Sequence, residues 1–452
     1  MNIIIAGDGK VGSALTQLLS SEGYDVTVID TNSSVLEMSV ERYDVMAVHG
    51  NCASMEVLRQ AGIMEADLLI AATNLDEVNL LCCTTAHGMN PKLHTIARIR
   101  NPEYTEQIFE MRNIFGLSMV INPEKQAAAE IERLLKYPGF LRRDVFAHGR
   151  NQIVELRVDS DSKLKDLSLI EMAGIVKCKV LVCAVLRDGQ AITPGGHFVL
   201  REGDRVFVTA PTENLTILLK NLGIITRRVR HVMLCGAGRI CHYLASDLLK
   251  SRIAVTIVEK DPQRCRELCA LLPEATIICG NAGNTELLES EGLAKFDAVV
   301  TMTGLEELNI IISLHANRAG VPLVITKLGH ISSQSILDSL KLGSVVCPKD
   351  LVVSDILRYV RAMQNQAGAA VSLHHIADGQ VEALEFPVDA HTKNCGVPLK
   401  DLKRKNNVLI AGITHGSKTE IPNGGSMFHA GDTVVVVTGN RGSVRQLNDI
   451  FA

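Results

Sequence analysis

The chain has 452 residues, 46% apolar, 21% charged and 4% aromatic, with no Trp and a net charge of −4. That length predicts two to four domains, and the apolar share excludes a disordered chain. The small charge, with no basic block or aromatic-plus-basic stripe, argues against nucleic-acid binding, and no apolar run approaches the ~20 residues that span a bilayer.

Met1-Asn2-Ile3-Ile4-Ile5-Ala6-Gly7 runs from a strand straight into a glycine turn, without the charged, apolar and small-residue regions of a signal peptide. Short apolar runs then predict strands at Asn2–Ala6, Asp25–Ile29, Met46–His49, Leu68–Ala72 and Leu93–Ala97. Helical stretches lie between them at Gly12–Ser21, Ser54–Ala61 and Glu77–His87. This alternation is the mark of a doubly wound parallel sheet. A further helix, Lys125–Tyr137, ends at Pro138-Gly139, a stop-and-turn signal. Beyond it, Gln152–Val158, Lys179–Arg187, Phe198–Leu200 and Arg205–Thr209 read as short strands between turns at Asp188-Gly189, Pro194-Gly195-Gly196 and Glu202-Gly203-Asp204. They predict a small α+β domain. The pattern then starts again, with strands at His231–Cys235, Ala254–Val258, Thr276–Cys279, Ala298–Thr301 and Leu323–Thr326. Turns at Asp378-Gly379, Pro422–Gly425 and Ala430–Asp432 punctuate a second small domain.

The second half repeats the first. Gly7-Asp8-Gly9-Lys10-Val11-Gly12 recurs as Gly236-Ala237-Gly238-Arg239-Ile240-Cys241. Asp30 recurs as Glu259, Gly50-Asn51-Cys52 as Gly280-Asn281-Ala282, and the run from Thr73 to Leu80 as that from Thr303 to Ile310. Glu202-Gly203-Asp204 recurs as Ala430-Gly431-Asp432. The order is the same and the spacing nearly constant, so the chain is a duplication of a two-part unit. The predicted domains are 1–138, a Rossmann-type nucleotide-binding domain; 139–227, a small α+β domain; 228–367, a second Rossmann-type domain; and 368–452, a second α+β domain.

The glycine loop carries the candidate chemistry. Gly7 permits a tight turn, Gly9 lets backbone approach a diphosphate, and Gly12 allows helix and strand to pack closely. The helix that opens there presents free N–H groups to phosphates. Asp30, at the end of the next strand, can accept hydrogen bonds from ribose hydroxyls and disfavours a 2′-phosphate. Asp8, Lys10 and Val11 complete the first loop, and Asn51, Cys52, Thr73 and Arg98 are expected on the same rim at the strand ends. The second site comprises Gly236, Gly238, Arg239, Ile240, Glu259, Asn281, Ala282, Thr303 and Lys327. There Cys241 replaces the third glycine, which should loosen the packing of helix on strand. Asp76 is expected to cap the helix that follows it.

Cysteine chemistry is not indicated. Cys265 and Cys269 sit one helical turn apart, and Cys82-Cys83 adjoin in an apolar helix. Both pairs read as packing, with reduced thiols. No G-x-S-x-G, H-E-x-x-H or Gly-Lys-Ser/Thr motif is present. A dehydrogenase would need a substrate domain offering an acid–base residue to the nicotinamide, and the small domains do not resemble one. An NAD-dependent oxidoreductase, or an NAD(H) sensor acting on a non-transport partner, stays open as an alternative.

The pairing of Gly7–Gly12, Asp30, Gly50-Asn51 and Thr73 with Pro194-Gly195-Gly196 and Glu202-Gly203-Asp204, duplicated over nearly the whole chain, resembles the RCK/KTN family. These are cytosolic regulatory domains of potassium channels and transporters. The resemblance implies a regulator that is not an enzyme. It implies NAD(H), with ADP or ATP possible, at the glycine loop and the acid after the second strand. It implies four tandem chains in an eight-domain ring, cytoplasmic and peripheral to the inner face of the membrane, without inserting into it. The implied partner is an integral, TrkH-like potassium-translocating subunit, gated as ligand exchange reshapes the ring.

Overall fold

The computed structural model describes residues 1–136, 142–223, 229–329, 342–363, 370–405, 407–439, 444 and 446–451. The expected domain boundaries at 138, 227 and 367 lie outside the described residues. Among the described residues four sheets alternate along the chain, two parallel and two antiparallel, so the chain has two tandem Rossmann-type domains, each followed by a small α+β domain.

The first parallel sheet comprises β1 (Asn2–Ala6), β2 (Asp25–Asp30), β3 (Met46–His49), β4 (Leu68–Ala71), β5 (His94–Arg98) and β6 (Met119–Ile121), in the order β3-β2-β1-β4-β5-β6. Its helices are α1 (Lys10–Ser21), α2 (Ser33–Arg42), α3 (Met55–Gln60), α4 (Asp76–Met89), α5 (Pro102–Met111) and α6 (Pro123–Lys136). Central strands of a parallel sheet are covered on both faces, so their apolar runs are continuous. Accordingly Ile3, Ile4, Ile5 and Ala6 are all buried, as are Leu68 to Ala71. α1 buries Val11, Leu15 and Leu19, one face at helical spacing. Cys82 and Cys83 are fully buried in the core beside Ile63, Leu69 and Ala97, as the packing reading requires. The strand order reverses at β1, with β2 on one side and β4 on the other, which opens a crevice at the C-terminal ends of β1 and β4.

The second parallel sheet repeats this: β12 (His231–Cys235), β13 (Ala254–Glu259), β14 (Thr276–Cys279), β15 (Ala298–Thr301), β16 (Leu323–Lys327) and β17 (Ser344–Val346), in the order β14-β13-β12-β15-β16-β17. Its helices include α9 (Arg239–Lys250), α10 (Pro262–Leu271), α11 (Thr285–Ser290) and α12 (Glu306–Arg318).

The small sheets are antiparallel. One comprises β7 (Arg142–Phe146), β8 (Asn151–Arg157), β9 (Leu181–Arg187), β10 (Gln190–Ile192) and β11 (Arg205–Pro211), flanked by α7 (Leu169–Val176) and α8 (Thr212–Leu222). The other comprises β18 (Ser372–Ile376), β19 (Val381–Pro387), β20 (Val408–His415), β21 (Lys418–Glu420) and β22 (Thr433–Thr438). The expected strand Phe198–Leu200 is not formed; only Val199 bridges to Ser168. The reason is local. Phe198 N–H closes the turn onto Gly195, and the Phe198 carbonyl and Leu200 N–H are taken by Leu169 and Leu167 at the start of α7.

The chain forms two compact units, Met1–Ala128 with Cys347–Leu357, and Ala129–Val346 with Arg358–Ala452. A last helix, Pro348–Met363, therefore lends its first turns to the unit of the leading sheet, where Gln126 Nε2 donates to Asp355 Oδ2 at 2.7 Å. Within the second unit the two antiparallel sheets share one core, with Phe146, Ile153 and Phe207 packed among Ile376, Ala383, Val435 and Val437. Asp144 and His374 occupy equivalent register positions, opposite Ile153 and Ala383. They meet each other at 3.0 Å, as equivalent groups do across a two-fold axis. Phe207→Ala should cost about 3–5 kcal/mol in urea unfolding of this unit; a loss below about 1 kcal/mol would contradict the shared core.

Candidate nucleotide-binding site

The glycine loop is built by close approach. Gly7 has φ +94°, and a Cβ there would stand 2.8 Å from the Thr73 backbone at the end of β4. Gly236 has φ +102° and would meet Thr303 at 2.9 Å. Each loop is hung from the neighbouring strand, by Gly7 N–H to the Ile29 carbonyl at 2.8 Å and by Gly236 N–H to that of Val258 at 2.9 Å. α1 and α9 begin after Gly9 and Gly238 in the same extended backbone, and no side chain caps either helix. Free first-turn N–H groups and the helix dipole make such an end an anion site.

The acids after β2 and β13 hold these loops. Asp30 Oδ2 accepts the Asp8 N–H at 2.7 Å and Oδ1 that of Asn32 at 2.9 Å. Glu259 does the same for Ala237 at 2.8 Å and Asp261 at 2.9 Å. A carboxylate oxygen has two lone pairs, so each retains capacity for a ribose hydroxyl. Lys10 and Arg239 are exposed at the matching first helical positions, while Val11 and Ile240 are buried.

The two loops differ in their cores. A Cβ at Gly12 would fall 1.9 Å from the Gly7 carbonyl oxygen, so the first loop has no room for one. The second loop accommodates Cys241 fully buried, and the backbone angles at Gly9 and Gly238 agree closely. The entry into the helix is thus alike in the two loops. Asp8 is buried, and its carboxylate turns inward to accept Ser39 Oγ at 2.5 Å and Thr16 Oγ1 at 3.4 Å. Its side chain thus braces the loop against α2. Burial pushes its carboxyl above the ordinary value, and the nearby Asp30 adds to the rise. Ala237 stands there in the second half. A cleft of about 270 Å³ lies between the first loop and α2, lined by Gly9, Lys10, Ser13, Met38, Arg42 and Tyr43 among others.

The remaining rim residues are tied into the strand ends by hydrogen bonds. Thr73 N–H and Oγ1 both donate to Asn79 Oδ1, at 2.8 and 2.7 Å, and Asn79 Nδ2 reaches the Arg98 carbonyl at 2.8 Å. Thr303, Asn309 and the Lys327 carbonyl repeat this clamp. Asn79 and Asn309 are fully buried; they belong to the repeated runs from Thr73 and Thr303, and their role is to lock the strand ends rather than to face a ligand. Arg98 Nη2 lies 3.8 Å from Glu124, and Lys327 Nζ donates to the Thr303 carbonyl at 3.0 Å. Asn51 and Asn281 are exposed and close their own turns onto Ala53 and Gly283, with Cys52 and Ala282 buried behind them. Asp76 does not cap α4, whose N-cap is Leu75. Its carboxylate accepts the N–H groups of Arg100 and Asn101, both at 2.8 Å, and so holds the start of α5. The second site has a cation the first lacks: Arg264 Nε donates to the Ala237 carbonyl at 3.1 Å, where Val35 stands in the first half.

Residues 3–123 and 232–348 match the TrkA-N domain, and residues 153–223 and 383–452 the TrkA-C domain. The chain is 30% identical over 452 residues to the Trk system potassium uptake protein TrkA homolog of Archaeoglobus fulgidus, covering all of both chains. It is 28% identical over 460 residues to the Trk system potassium uptake protein TrkA of Haemophilus influenzae, covering 100% of this chain and 98% of the relative. A crystal structure of the GsuK RCK domain superposes with a TM-score of 0.60 at 16% identity, covering 96% of this chain and 92% of that one. A GsuK channel bound to NAD superposes with a TM-score of 0.60 at 17% identity, over 97% of this chain and 76% of that one. At such identity the likeness is one of fold.

The raised Asp8 carboxyl fixes a sign. Its ionised form is disfavoured in the fold, so stability is full at low pH and falls as pH rises through the raised value. Asp8→Asn removes that penalty. The melting temperature of the variant relative to the parent should rise between about pH 4 and pH 7; a difference that shrinks over this interval would contradict the assigned burial.

Proposed function

Because the chain belongs to the TrkA family, built as two TrkA-N and two TrkA-C domains, we propose that it is a nucleotide-sensing regulatory subunit of a potassium-uptake system. The observation that carries this reading is the pair of uncapped helix ends, each beside a carboxylate that already holds its glycine loop. A diphosphate meets the open N–H groups, and a ribose meets Asp30 or Glu259. The acid disfavours a 2′-phosphate, so NAD(H) is the proposed ligand, with ADP and ATP as competitors. When bound, the nucleotide supplies anionic charge at the loop. Lys10 and Arg239 face that charge; Arg98 and Lys327 hold the strand ends behind it.

Ligand control requires that the nucleotide interact differently with two conformations of the assembly. The loop is suited to this because Thr73, Asn79 and the Arg98 carbonyl form one hydrogen-bonded clamp from the phosphate site to α4 and β5. α4 is likewise preceded by Leu75 and carries Leu81, and α12 is preceded by Leu305 and carries Ile311 at matching positions, each more than half exposed. Such apolar residues suit self-association, and four chains would complete an eight-domain ring. No described helix is long and apolar enough to cross a membrane. The subunit would act on the cytoplasmic face through an integral, TrkH-like partner. Several relatives carry potassium-uptake names rather than enzyme names, and the lining of the first cleft includes no His or Cys, which favours binding over reaction.

Asp30→Ala should weaken NADH binding to the first site at least tenfold, about 1.4 kcal/mol, and blunt nucleotide control of potassium uptake, with Asp30→Asn intermediate. Unchanged NADH affinity by calorimetry in a folded Asp30→Ala chain would overturn the assignment.

A further inference from the structure

The two small sheets are alike in register but not in chemistry at one corner. Arg205 lies opposite Leu186 on β11 and β9, and Thr433 lies opposite Thr414 on β22 and β20. Both sheets carry a register shift at the same place, just past Phe207 in one and Val435 in the other. In the next position Arg187 is therefore equivalent to His415, each the last residue before a two-residue hairpin. By the same register Asp204 is equivalent to Asp432, Arg201 to His429, and Ile192 to Glu420.

In the first sheet this corner is a closed ion pair. Arg187 Nε and Nη2 donate to Asp204 Oδ1 and Oδ2 at 2.8 and 2.7 Å, and Nη2 also reaches the Val199 carbonyl at 2.8 Å. The guanidinium stacks 4.6 Å from the Phe198 ring. An Arg–Asp pair of this bidentate kind is permanently charged, and the guanidinium offers no lone pair to a cation. Asp204 Oδ2 also accepts the Arg201 N–H at 2.8 Å, and Asp432 Oδ2 that of His429 at 2.7 Å. The turn around the aspartate is thus the same in both sheets. What changes is every side chain facing it.

In the second sheet His415 Nδ1 lies 2.8 Å and His429 Nδ1 3.9 Å from Asp432 Oδ2. One ligand atom from each of the three lies within 4.8 Å of the others. Glu420 Oε1 stands 3.9 Å from His415 Nε2, in a position that is apolar in the first sheet. Imidazole nitrogens and a carboxylate are the donors of zinc-type sites, with bonds of about 2.0–2.2 Å. Tetrahedral bonds of that length set donors about 3.4 Å apart; the two His–Asp separations of 2.8 and 3.9 Å lie on either side of it, and all three donors lie within 4.8 Å. We propose that His415, His429 and Asp432 form a binding site for a borderline divalent cation of the zinc class. The fourth position opens to water, and Glu420 stands beside the other ring nitrogen of His415, where a carboxylate orients a ligating imidazole. The cation would tie the β20–β21 hairpin to the turn before β22, as the Arg187–Asp204 pair does without a metal in the first sheet. The second half thereby holds an exchangeable version of a brace that is fixed in the first.

The test uses the untagged full-length chain, stripped with chelator and titrated with Zn²⁺ by calorimetry. His415→Arg rebuilds the first sheet's ion pair and should keep the fold while abolishing the site. His429→Ala should weaken it more than tenfold. Zn²⁺ should raise the melting temperature of the parent by mass action and leave that of His415→Arg unmoved. Co²⁺ in the parent should show a tetrahedral spectrum without a thiolate charge-transfer band, which separates this site from the exposed Cys269, Cys279 and Cys395. Equal zinc affinity and stoichiometry in parent, His415→Arg and His429→Ala would overturn the proposal. So would a thiolate band accounting for the only saturable binding, or no saturable binding in the parent.

Discussion

A carboxylate at the end of the second strand of each Rossmann sheet holds the amide of a glycine loop, and the geometry of both candidate sites follows from that contact. Asp30 and Glu259 differ by one methylene, yet each accepts the amide inside its loop and the amide two residues past itself. Charge-assisted bonds of this kind are about twice as strong as neutral ones. They fix the loop while the helix behind it is left without a side-chain cap. A helix end open to anions and a preset acceptor for ribose thus come from the same few residues.

The duplication lets physics be compared at matched positions. Gly12 cannot take a Cβ because of the Gly7 carbonyl, whereas Cys241 is fully buried in a loop whose backbone angles before the helix match. Asp8 places a buried acid under the first loop, and Ala237 places none under the second, where Arg264 reaches in instead. The first loop therefore rests on a buried acid and the second on an arginine. The halves share a scaffold and differ in the electrostatics an anionic ligand meets. The same divergence appears in the small sheets, where a fixed Arg–Asp pair in one faces a His–His–Asp corner in the other.

The parallel sheets were legible because buried strands must be continuous apolar runs: Ile3 to Ala6 and Val232 to Cys235 read as strands without further context. The glycine loops were legible because φ above zero and close approach leave few residue choices. The rest depends on partners far away in sequence. Asp76 sits where a cap is expected, but its carboxylate serves Arg100 and Asn101. Phe198–Leu200 has strand composition, but its backbone is used by the approach to α7. The core shared by Phe207 and Val435 joins two sheets more than two hundred residues apart, and no local period reports that. Nor does any local pattern show that the turns after Cys347 belong with the leading unit.

Calorimetric titration of the folded full-length chain with NAD, NADH, ADP and ATP in turn is the most direct test of the loops as nucleotide sites. Saturable binding of at least one of the four, at no more than two per chain and competed by the others, is the expected result. A folded chain that takes up none of them would contradict it.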